Sequence, residues 1–198
     1  MGENRIKLVA ADMDGTLLNR ERKITKYTQD VIKKAMAQGV YFVPATGRAV
    51  NALPPELKEM EGIRYGIFSN GATIYDLKEE KVIYKNHFEM DRVLELMDFL
   101  KQFDLMESIS LNGQSYANKK EMENIGYYEL DSNTKAIVQG SRVLVDDLEM
   151  FVKEQSTTVE KTTLLFKTME ERRRAADALS KIEDIQFSSS LPKNLEIS

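Results

Sequence analysis

The 198-residue sequence contains no cysteine and a single histidine, His87. Without cysteine there can be no disulfide framework and no thiolate metal site. A single histidine excludes a multi-histidine metal site, and because His87 lies outside the motifs described below, we expect no histidine-based catalytic triad. The four prolines and ten glycines are too few for a collagen-like or low-complexity chain. No apolar run approaches the roughly 18–20 residues that cross a bilayer. We therefore expect a soluble, cytoplasmic, globular protein.

The charges are nearly balanced, with 28 basic and 32 acidic residues and a formal net charge of −4. This composition gives no general electrostatic reason to bind nucleic acid or an anionic membrane, so we expect neither as a partner. The apolar residues before Asp12 end at that acidic side chain, which is not the pattern of a signal peptide.

The first part of the sequence alternates predicted strands and helices. Short apolar runs at 6–11, 40–44 and 65–69 predict three buried strands, and a helix capped by Thr25 and stopped by Gly39 lies between the first two. Because strands of near-continuous apolar character separated by helices are typical of parallel sheets, we expect an α/β fold with helices packed against a parallel sheet.

The pattern changes near residue 86. From there we predict a second α/β unit with antiparallel pairing, in which Asn112-Gly113 is a hairpin turn. The last residues, 195–198, form a strand-like segment. The elements predicted for this unit are helices at 91–103, 146–154 and 170–181 and strands at 108–111, 114–117, 136–138, 163–167 and 185–189.

The segment Asp12–Thr16, with the sequence Asp-Met-Asp-Gly-Thr, directly follows the first predicted strand. Open parallel sheets bind ligands at the carboxyl ends of their strands, and two carboxylates at i and i+2 there are suited to a hard cation such as Mg²⁺. An acidic turn that merely caps the next helix is the alternative. A calcium-binding EF-hand loop fails, because Leu17 stands where that loop needs glycine and Lys23 where it needs glutamate.

Two further turns end the next predicted strands. Ala45–Arg48, with the sequence Ala-Thr-Gly-Arg, follows the second strand, and a threonine hydroxyl with backbone N–H groups at the start of a helix is suited to an anion. Ser69–Ala72, with the sequence Ser-Asn-Gly-Ala, follows the third strand, where its amide side chain could orient a substrate. Alone, the first of these turns would be a simple strand exit and the second a hairpin turn.

Taken together, these three turns and the inserted second unit resemble the haloacid dehalogenase-like hydrolases, specifically the Cof-type sugar-phosphatase branch. The resemblance implies an α/β fold with a three-layer, Rossmann-like parallel-sheet core that is incomplete at its C-terminus. It places this core at residues 1–85 and 190–198. It also implies that residues 86–189 form an inserted α+β cap domain of the C2 type that carries much of the substrate specificity.

The same resemblance implies the roles of individual residues in a Mg²⁺-dependent phosphatase acting on a small phosphorylated metabolite. Asp12 would be the nucleophile, Asp14 the general acid and base, and Mg²⁺ would contact the Asp12 carboxylate and the Asp14 backbone carbonyl. The residues that would bind phosphate or substrate are Met13, Thr46, Gly47, Arg48, Asn70 and Gly71.

The family's later motifs, a lysine and a second acidic turn, have no counterpart in the sequence, and Lys193 precedes the strand that the family's lysine follows. We therefore expect this chain to be weakly active or inactive. A catalytically dead binding or regulatory protein that retains the cap is the main alternative, and a bare folding fragment is a third. An exposed apolar edge of the core sheet would favour self-association.

Overall fold

A computed structural model describes residues 5–19 and 21–198 of the chain. The chain forms two compact units, the first ending at Lys85 and the second comprising Asn86–Ser198. Each unit has its own sheet and its own hydrophobic core.

The first unit contains a five-stranded sheet with the strand order β1-β2-β3-β4-β5. β1, β2 and β3 are parallel neighbours, whereas β3–β4 and β4–β5 are antiparallel pairs. The sheet is thus mixed: the parallel part that the sequence predicts is extended by a hairpin. Its elements are β1 (Leu8–Asp12), α1 (Lys26–Ala37), β2 (Tyr41–Ala45), α2 (Pro55–Lys58), β3 (Tyr65–Phe68), β4 (Thr73–Asp76) and β5 (Lys81–Lys85).

Local chemistry sets the limits of α1. The Thr25 side chain accepts a hydrogen bond from the Thr28 N–H, which satisfies one of the free donors at the helix start. The helix ends at Ala37, and Gly39 follows with φ of +82°, a left-handed conformation that glycine adopts without strain. Ile32 of α1 packs with Phe42 of β2 in one apolar cluster, so burial fixes this helix against the sheet.

The second unit contains a six-stranded sheet with the order β10-β11-β9-β6-β7-β8. Only the β7–β8 pair is parallel among its described pairs. Its elements are α3 (Met90–Leu100), β6 (Leu105–Leu111), β7 (Gln114–Asn118), α4 (Lys119–Glu123), α5 (Ser132–Gly140), β8 (Arg142–Val145), α6 (Leu148–Lys153), β9 (Lys161–Phe166), α7 (Met169–Leu179), β10 (Phe187–Ser188) and β11 (Asn194–Ile197).

Both faces of this second sheet are covered. On one face of β6, Ile109 packs with side chains of α3 and α6. On the opposite face, Met106 packs with Met122 of α4 and Val138 of α5. On β9 the same alternation sends Leu164 to the α3 and α7 side and Leu165 to the α4 and α5 side. β6 is therefore buried over most of its length.

The last strand does not return to the first unit, which corrects the assignment of residues 190–198 to the core domain. β11 lies between β10 and β9 and pairs antiparallel with both. Its buried Glu196 carboxylate forms an ion pair with Lys161 (3.3 Å) and accepts a hydrogen bond from the Ser190 hydroxyl (2.6 Å). Leu195 and Ile197 pack into the apolar cluster beside α7. These contacts fix β11 in the second sheet.

Two other local differences separate the structure from the sequence prediction. Residues 136–138, predicted as a strand, lie inside α5, and the strand follows at β8. The β4–β5 hairpin is an addition, since the sequence pattern gave no element between 72 and 86. Within the described residues, no helix combines the length and apolar character needed to cross a membrane.

Candidate active site

The first turn starts at Asp12, the last residue of β1, and reverses within five residues. The Met13 carbonyl accepts hydrogen bonds from the N–H groups of Thr16, Leu17 and Leu18 at 2.9–3.3 Å, while the Met13 side chain is fully buried. Gly15 has φ of +83°, which makes glycine the suitable residue at that position. The buried methionine holds the turn in place, and the Asp12 carboxylate is left exposed at the sheet edge.

The second turn lies beside the first, as the sequence predicts. β1 and β2 pair in parallel with Asp12 opposite Ala45, so Thr46 leaves the sheet next to the Asp12 turn. Thr46 is buried, and its hydroxyl oxygen accepts a hydrogen bond from the Arg48 N–H at 3.2 Å. The Asp12 carboxylate itself has a long contact of 3.4 Å with the Thr16 hydroxyl.

An ion pair connects these two turns. Arg48 donates to both Asp14 carboxylate oxygens, from Nε to Oδ2 at 2.9 Å and from Nη2 to Oδ1 at 2.7 Å. Its Nη1 also donates to the Ala52 carbonyl at 3.2 Å. This bidentate geometry holds the Asp14 side chain on Arg48, so the two aspartates have different surroundings: Asp14 is paired and Asp12 is open.

The third turn is hydrogen-bonded to the second through the backbone. The Asn70 N–H donates to the Thr46 carbonyl at 3.3 Å, and the Ser69 N–H donates to the Arg48 carbonyl at 2.9 Å. Ser69, Asn70 and Gly71 have successive φ values of 50°, 59° and 97°. Left-handed conformations at the two non-glycine residues are strained, and they persist here because the neighbouring turn fixes the backbone.

The oxygen groups at this edge fit Mg²⁺, an ion that uses one or two carboxylates and keeps positions for water and phosphate oxygen. The exposed Asp12 carboxylate is such a ligand, and Asp14 offers its backbone carbonyl while its side chain is bound to Arg48. Within residues 5–19 and 21–198, no group of three or more acidic or histidine side chains could hold a metal ion.

Two residues that the sequence analysis did not assign to the site, His87 and Lys193, lie in the second unit. The His87 ring nitrogen Nδ1 is hydrogen-bonded to the Thr158 hydroxyl at 2.9 Å, within the second unit. Lys193 donates to the Tyr128 carbonyl, also in the second unit. The sequence analysis did not predict the ion pair between Arg48 and Asp14. The only signal for it is that two residues of opposite charge follow neighbouring strands.

A family model for haloacid dehalogenase-like hydrolases matches residues 9–198. A putative phosphatase of Buchnera aphidicola subsp. Schizaphis graminum is 38% identical over 121 residues, which is 60% of this chain and 43% of that protein. The 5-amino-6-(5-phospho-D-ribitylamino)uracil phosphatase of Bacillus subtilis is 37% identical over 89 residues, which is 43% of this chain and 36% of that protein. The matched segment spans less than half of each of these curated relatives.

Among solved structures, a haloacid dehalogenase-like hydrolase from B. subtilis superposes with a TM-score of 0.80 at 21% identity, covering 98% of this chain and 73% of that one. This likeness shows the fold. The family match over most of the chain confirms the resemblance carried by the three turns, and the chain belongs to the haloacid dehalogenase-like hydrolases.

Proposed function

We propose that the first unit carries the active site of a Mg²⁺-dependent phosphomonoester hydrolase that acts on small phosphorylated metabolites through an aspartyl-phosphate. One observation supports this most directly: the exposed Asp12 carboxylate lies beside the buried Thr46 turn at the carboxyl edge of parallel strands. The names of the relatives, which are phosphatases or putative phosphatases, agree with this reaction class.

The phosphate group would be held by the first two turns. The Thr46 hydroxyl and the backbone N–H groups of Met13 and Gly47 provide donors of the kind that bind anions at strand ends and helix starts. The third turn would place Asn70 and Gly71 at the substrate. Because backbone hydrogen bonds join the second and third turns, these donors are positioned before the substrate arrives.

The chemistry would proceed in two displacements. An Asp12 carboxylate oxygen forms a bond to phosphorus while the bond from phosphorus to the ester oxygen breaks, and Asp14 gives its proton to that oxygen. Asp14, now ionised, then takes a proton from water as the water oxygen attacks phosphorus and the bond to Asp12 breaks. Inorganic phosphate leaves and both aspartates return to their starting states. Bound Mg²⁺ would offset the repulsion between the Asp12 carboxylate and the phosphate dianion.

The Arg48–Asp14 ion pair must open before Asp14 can take part in this reaction. Both Asp14 carboxylate oxygens accept hydrogen bonds from the Arg48 guanidinium, whereas the first displacement needs an Asp14 oxygen in contact with the ester oxygen of the substrate. A phosphate dianion is a competing partner for the Arg48 guanidinium. We therefore propose that substrate binding draws Arg48 from Asp14 to the phosphate and releases Asp14 for proton transfer.

Low activity of the 198-residue chain is part of the proposal. The described residues offer no group of three carboxylates for the metal, and the sequence has no counterpart of the lysine that pairs with the nucleophile and phosphate in the family. A steady-state assay of p-nitrophenyl phosphate with Mg²⁺ should give turnover far below that of an ordinary phosphatase.

Binding of a phosphoryl mimic tests the site without requiring turnover. We expect beryllium fluoride to raise the melting temperature of the wild-type chain only when Mg²⁺ is present, because the mimic occupies the position of a phosphoryl group on Asp12. Asp12→Asn should abolish this shift. Asp30→Asn is the matched control, since Asp30 is a partly exposed aspartate of α1 whose partner is Lys26.

The outcomes separate the two function classes. A shift that disappears in Asp12→Asn and persists in Asp30→Asn supports the hydrolase site. Equal shifts in wild type and Asp12→Asn would contradict it and favour a binding or regulatory protein that has no nucleophile.

We also propose that the chain self-associates through β1. This strand is at one edge of the sheet, and Leu8 and Val9 are exposed on it. An edge strand without charged residues between Leu8 and Ala11 presents free backbone groups and apolar side chains to another chain.

A further inference from the structure

The second unit contains a cavity of about 340 Å³ at one end of its sheet. The cavity is bounded by the end of α3, the first half of β6, the end of β7 and the start of α6. One wall is apolar, and it includes Leu100, Leu105 and Leu148. All of the residues that line it belong to the second unit.

Glu107 lies on the wall formed by β6, in line with the apolar residues Leu105 and Ile109. It is 9% exposed, and its Oε1 atom has no hydrogen-bond partner among the described residues. A buried carboxylate oxygen without a donor is costly, so natural proteins rarely keep one without a reason. Glu107 is one of the residues that line the cavity, so a rotation of its carboxyl group would bring this buried oxygen into contact with a molecule bound there.

The charges around Glu107 are mostly negative. Glu121, Asp147 and Glu149 also line the cavity. The basic residue on the wall, Lys101, is bound to Glu149 at 2.9 Å and to Asp98 at 3.3 Å. Its charge is therefore taken up by Glu149, another residue of the cavity, and by Asp98, and four acidic residues line the cavity against this one lysine.

Without a basic partner, the Glu107 carboxyl group avoids a buried negative charge by keeping its proton. Burial, together with the nearby charges of Glu121 and Glu149, raises the pKa of Glu107 to about 8. Glu107 therefore keeps its proton through most of the neutral range when the cavity is empty. A bound cation would stabilise the ionised carboxylate and displace that proton.

The residues that line the cavity limit the kinds of ligand that it can bind. No group of three acidic side chains in the described part of the chain is arranged to hold a metal ion, so the carboxylates here do not converge on a bare ion. A ligand with a charged head and an apolar body matches a cavity with acidic groups on one side and leucines on the other.

We propose that this cavity binds a small primary alkylammonium, with its ammonium group donating to Glu107 and its hydrocarbon chain against the leucine wall. The proposal goes beyond the phosphatase function and does not depend on it, because none of the cavity residues belongs to the first unit. Failure of either proposal leaves the other unaffected.

Titration of the full chain with n-pentylamine and n-pentanol at pH 7, followed by calorimetry, tests the charge requirement. The two probes match in length and differ in charge. We expect the amine to bind with a dissociation constant of about 1 mM, as befits so small a ligand, and the alcohol to bind about tenfold more weakly or not at all. Equal affinities would overturn the proposal, because they would show an apolar cavity without a cation site.

Glu107→Gln and Glu123→Gln provide the paired variants. Glu107→Gln keeps the shape of the side chain and removes its negative charge, so we expect amine affinity to fall by about tenfold. Glu123 is exposed on the helix that carries Glu121, and its variant should bind the amine like wild type. Unchanged affinity in Glu107→Gln would overturn the proposal.

Proton release supplies a readout that a purely structural role of Glu107 would not change. Amine binding to wild type at pH 7 should release nearly one proton per amine bound, measured with an indicator dye in weak buffer. Glu107→Gln should release none at the same saturation. Amine binding to wild type without proton release would contradict contact between the ammonium group and Glu107.

Discussion

Glu107 and Asp14 are carboxylates that the protein treats in opposite ways. Asp14 is half exposed and bound by both nitrogens of the Arg48 fork, so its negative charge has both solvent and a partner. Glu107 is buried with an unpartnered oxygen. The Asp14 side chain is therefore both solvated and paired, whereas ionising the buried Glu107 costs folding free energy.

The raised pKa of Glu107, about 8 against an ordinary value of 4.5, makes the stability of the second unit depend on pH. The folded state holds the proton more tightly than the unfolded state, so this contribution is complete below pH 4.5 and is lost as pH rises toward 8. The free energy of unfolding should fall by up to about 1.4 kcal/mol per pH unit in that window. Urea unfolding between pH 5 and 8.5 should show a flatter profile for Glu107→Gln than for Glu123→Gln. Parallel profiles would contradict the burial of an ionisable group.

Arg48 should matter more for ligand binding than for stability. Asp14 is solvated, so Arg48→Ala should lower the free energy of unfolding by about 1 kcal/mol or less. If Arg48 moves to the phosphate, the same variant should weaken beryllium fluoride binding with Mg²⁺ by about tenfold. Arg48→Lys keeps the charge but loses the two-pronged geometry, and should be intermediate. Titrations monitored by melting temperature give the affinities, and wild-type binding by Arg48→Ala would argue against the transfer.

At the scale of elements, β3 depends on the packing of an aromatic ring against a glycine on the same strand. A Cβ atom on Gly66 would lie 2.5 Å from Phe68 Cε2 and 2.6 Å from Cζ, because the Phe68 ring folds back over the glycine. Phe68 is fully buried in the first unit's cluster and has little freedom to move. The absence of a side chain at 66 is thus a packing requirement of the sheet.

Gly66→Ala should therefore destabilise the first unit by about 1–3 kcal/mol through overpacking. In a Phe68→Leu background the same substitution should cost clearly less, because the clashing ring atoms are gone. Hydrogen exchange of the β2 and β3 amides in the full chain measures the cost in this unit. Gly140→Ala, at the end of α5 with open space around the added carbon, is the control and should be neutral or mildly stabilising. Equal costs in both Phe68 backgrounds would rule out the steric explanation.

Hydrophobic pattern and turn chemistry predicted most of the elements. The runs that became β1, β2 and β3 are apolar enough to identify, and Asn112-Gly113 correctly indicated the β6–β7 hairpin. The pattern failed at 136–138, where a short apolar run fits a strand and a helix face equally well. It identified 195–198 as strand-like but did not show which sheet the strand joins, because that is decided by pairing with the distant β9 and by the ion pair with Lys161.

The candidate site was predictable to the level of which turns meet. Parallel neighbours end at the same edge, so Asp12 and Thr46 had to be close once β1 and β2 were paired. The bond from Arg48 to Asp14 depends on side-chain reach, which spacing does not encode. Glu107 lies outside the strand predicted at 108–111, and only the observed start of β6 at Leu105 places it on one strand face with Leu105 and Ile109, where it interrupts an apolar row. The catalytic and binding roles of these residues stay predictions until the variants are measured.

At the scale of the whole molecule, the two sheets differ in how their edges and faces are used. The second unit has apolar clusters on both faces of its sheet, so β6 is almost wholly buried. In the first unit, β1 is an edge strand with mostly exposed residues, although its sequence has the continuous apolar character of an interior strand. The apolar sequence of β1 is therefore typical of a buried strand, although the strand is exposed. A strand from another chain paired with β1 would bury its apolar side chains.

Self-association of the full chain through β1 should therefore rise with concentration in sedimentation velocity experiments. Leu8→Lys places a charge on this edge and should shift the population toward monomer. Ile83→Lys is the matched control on β5, the opposite edge, where Lys81 and Lys85 already flank the exposed apolar residues. It should associate like wild type, and circular dichroism should show that both variants are folded. A wild-type monomer at all concentrations would exclude the contact, and loss of association in Ile83→Lys alone would place it at β5. Retention in both variants would show that neither edge is used.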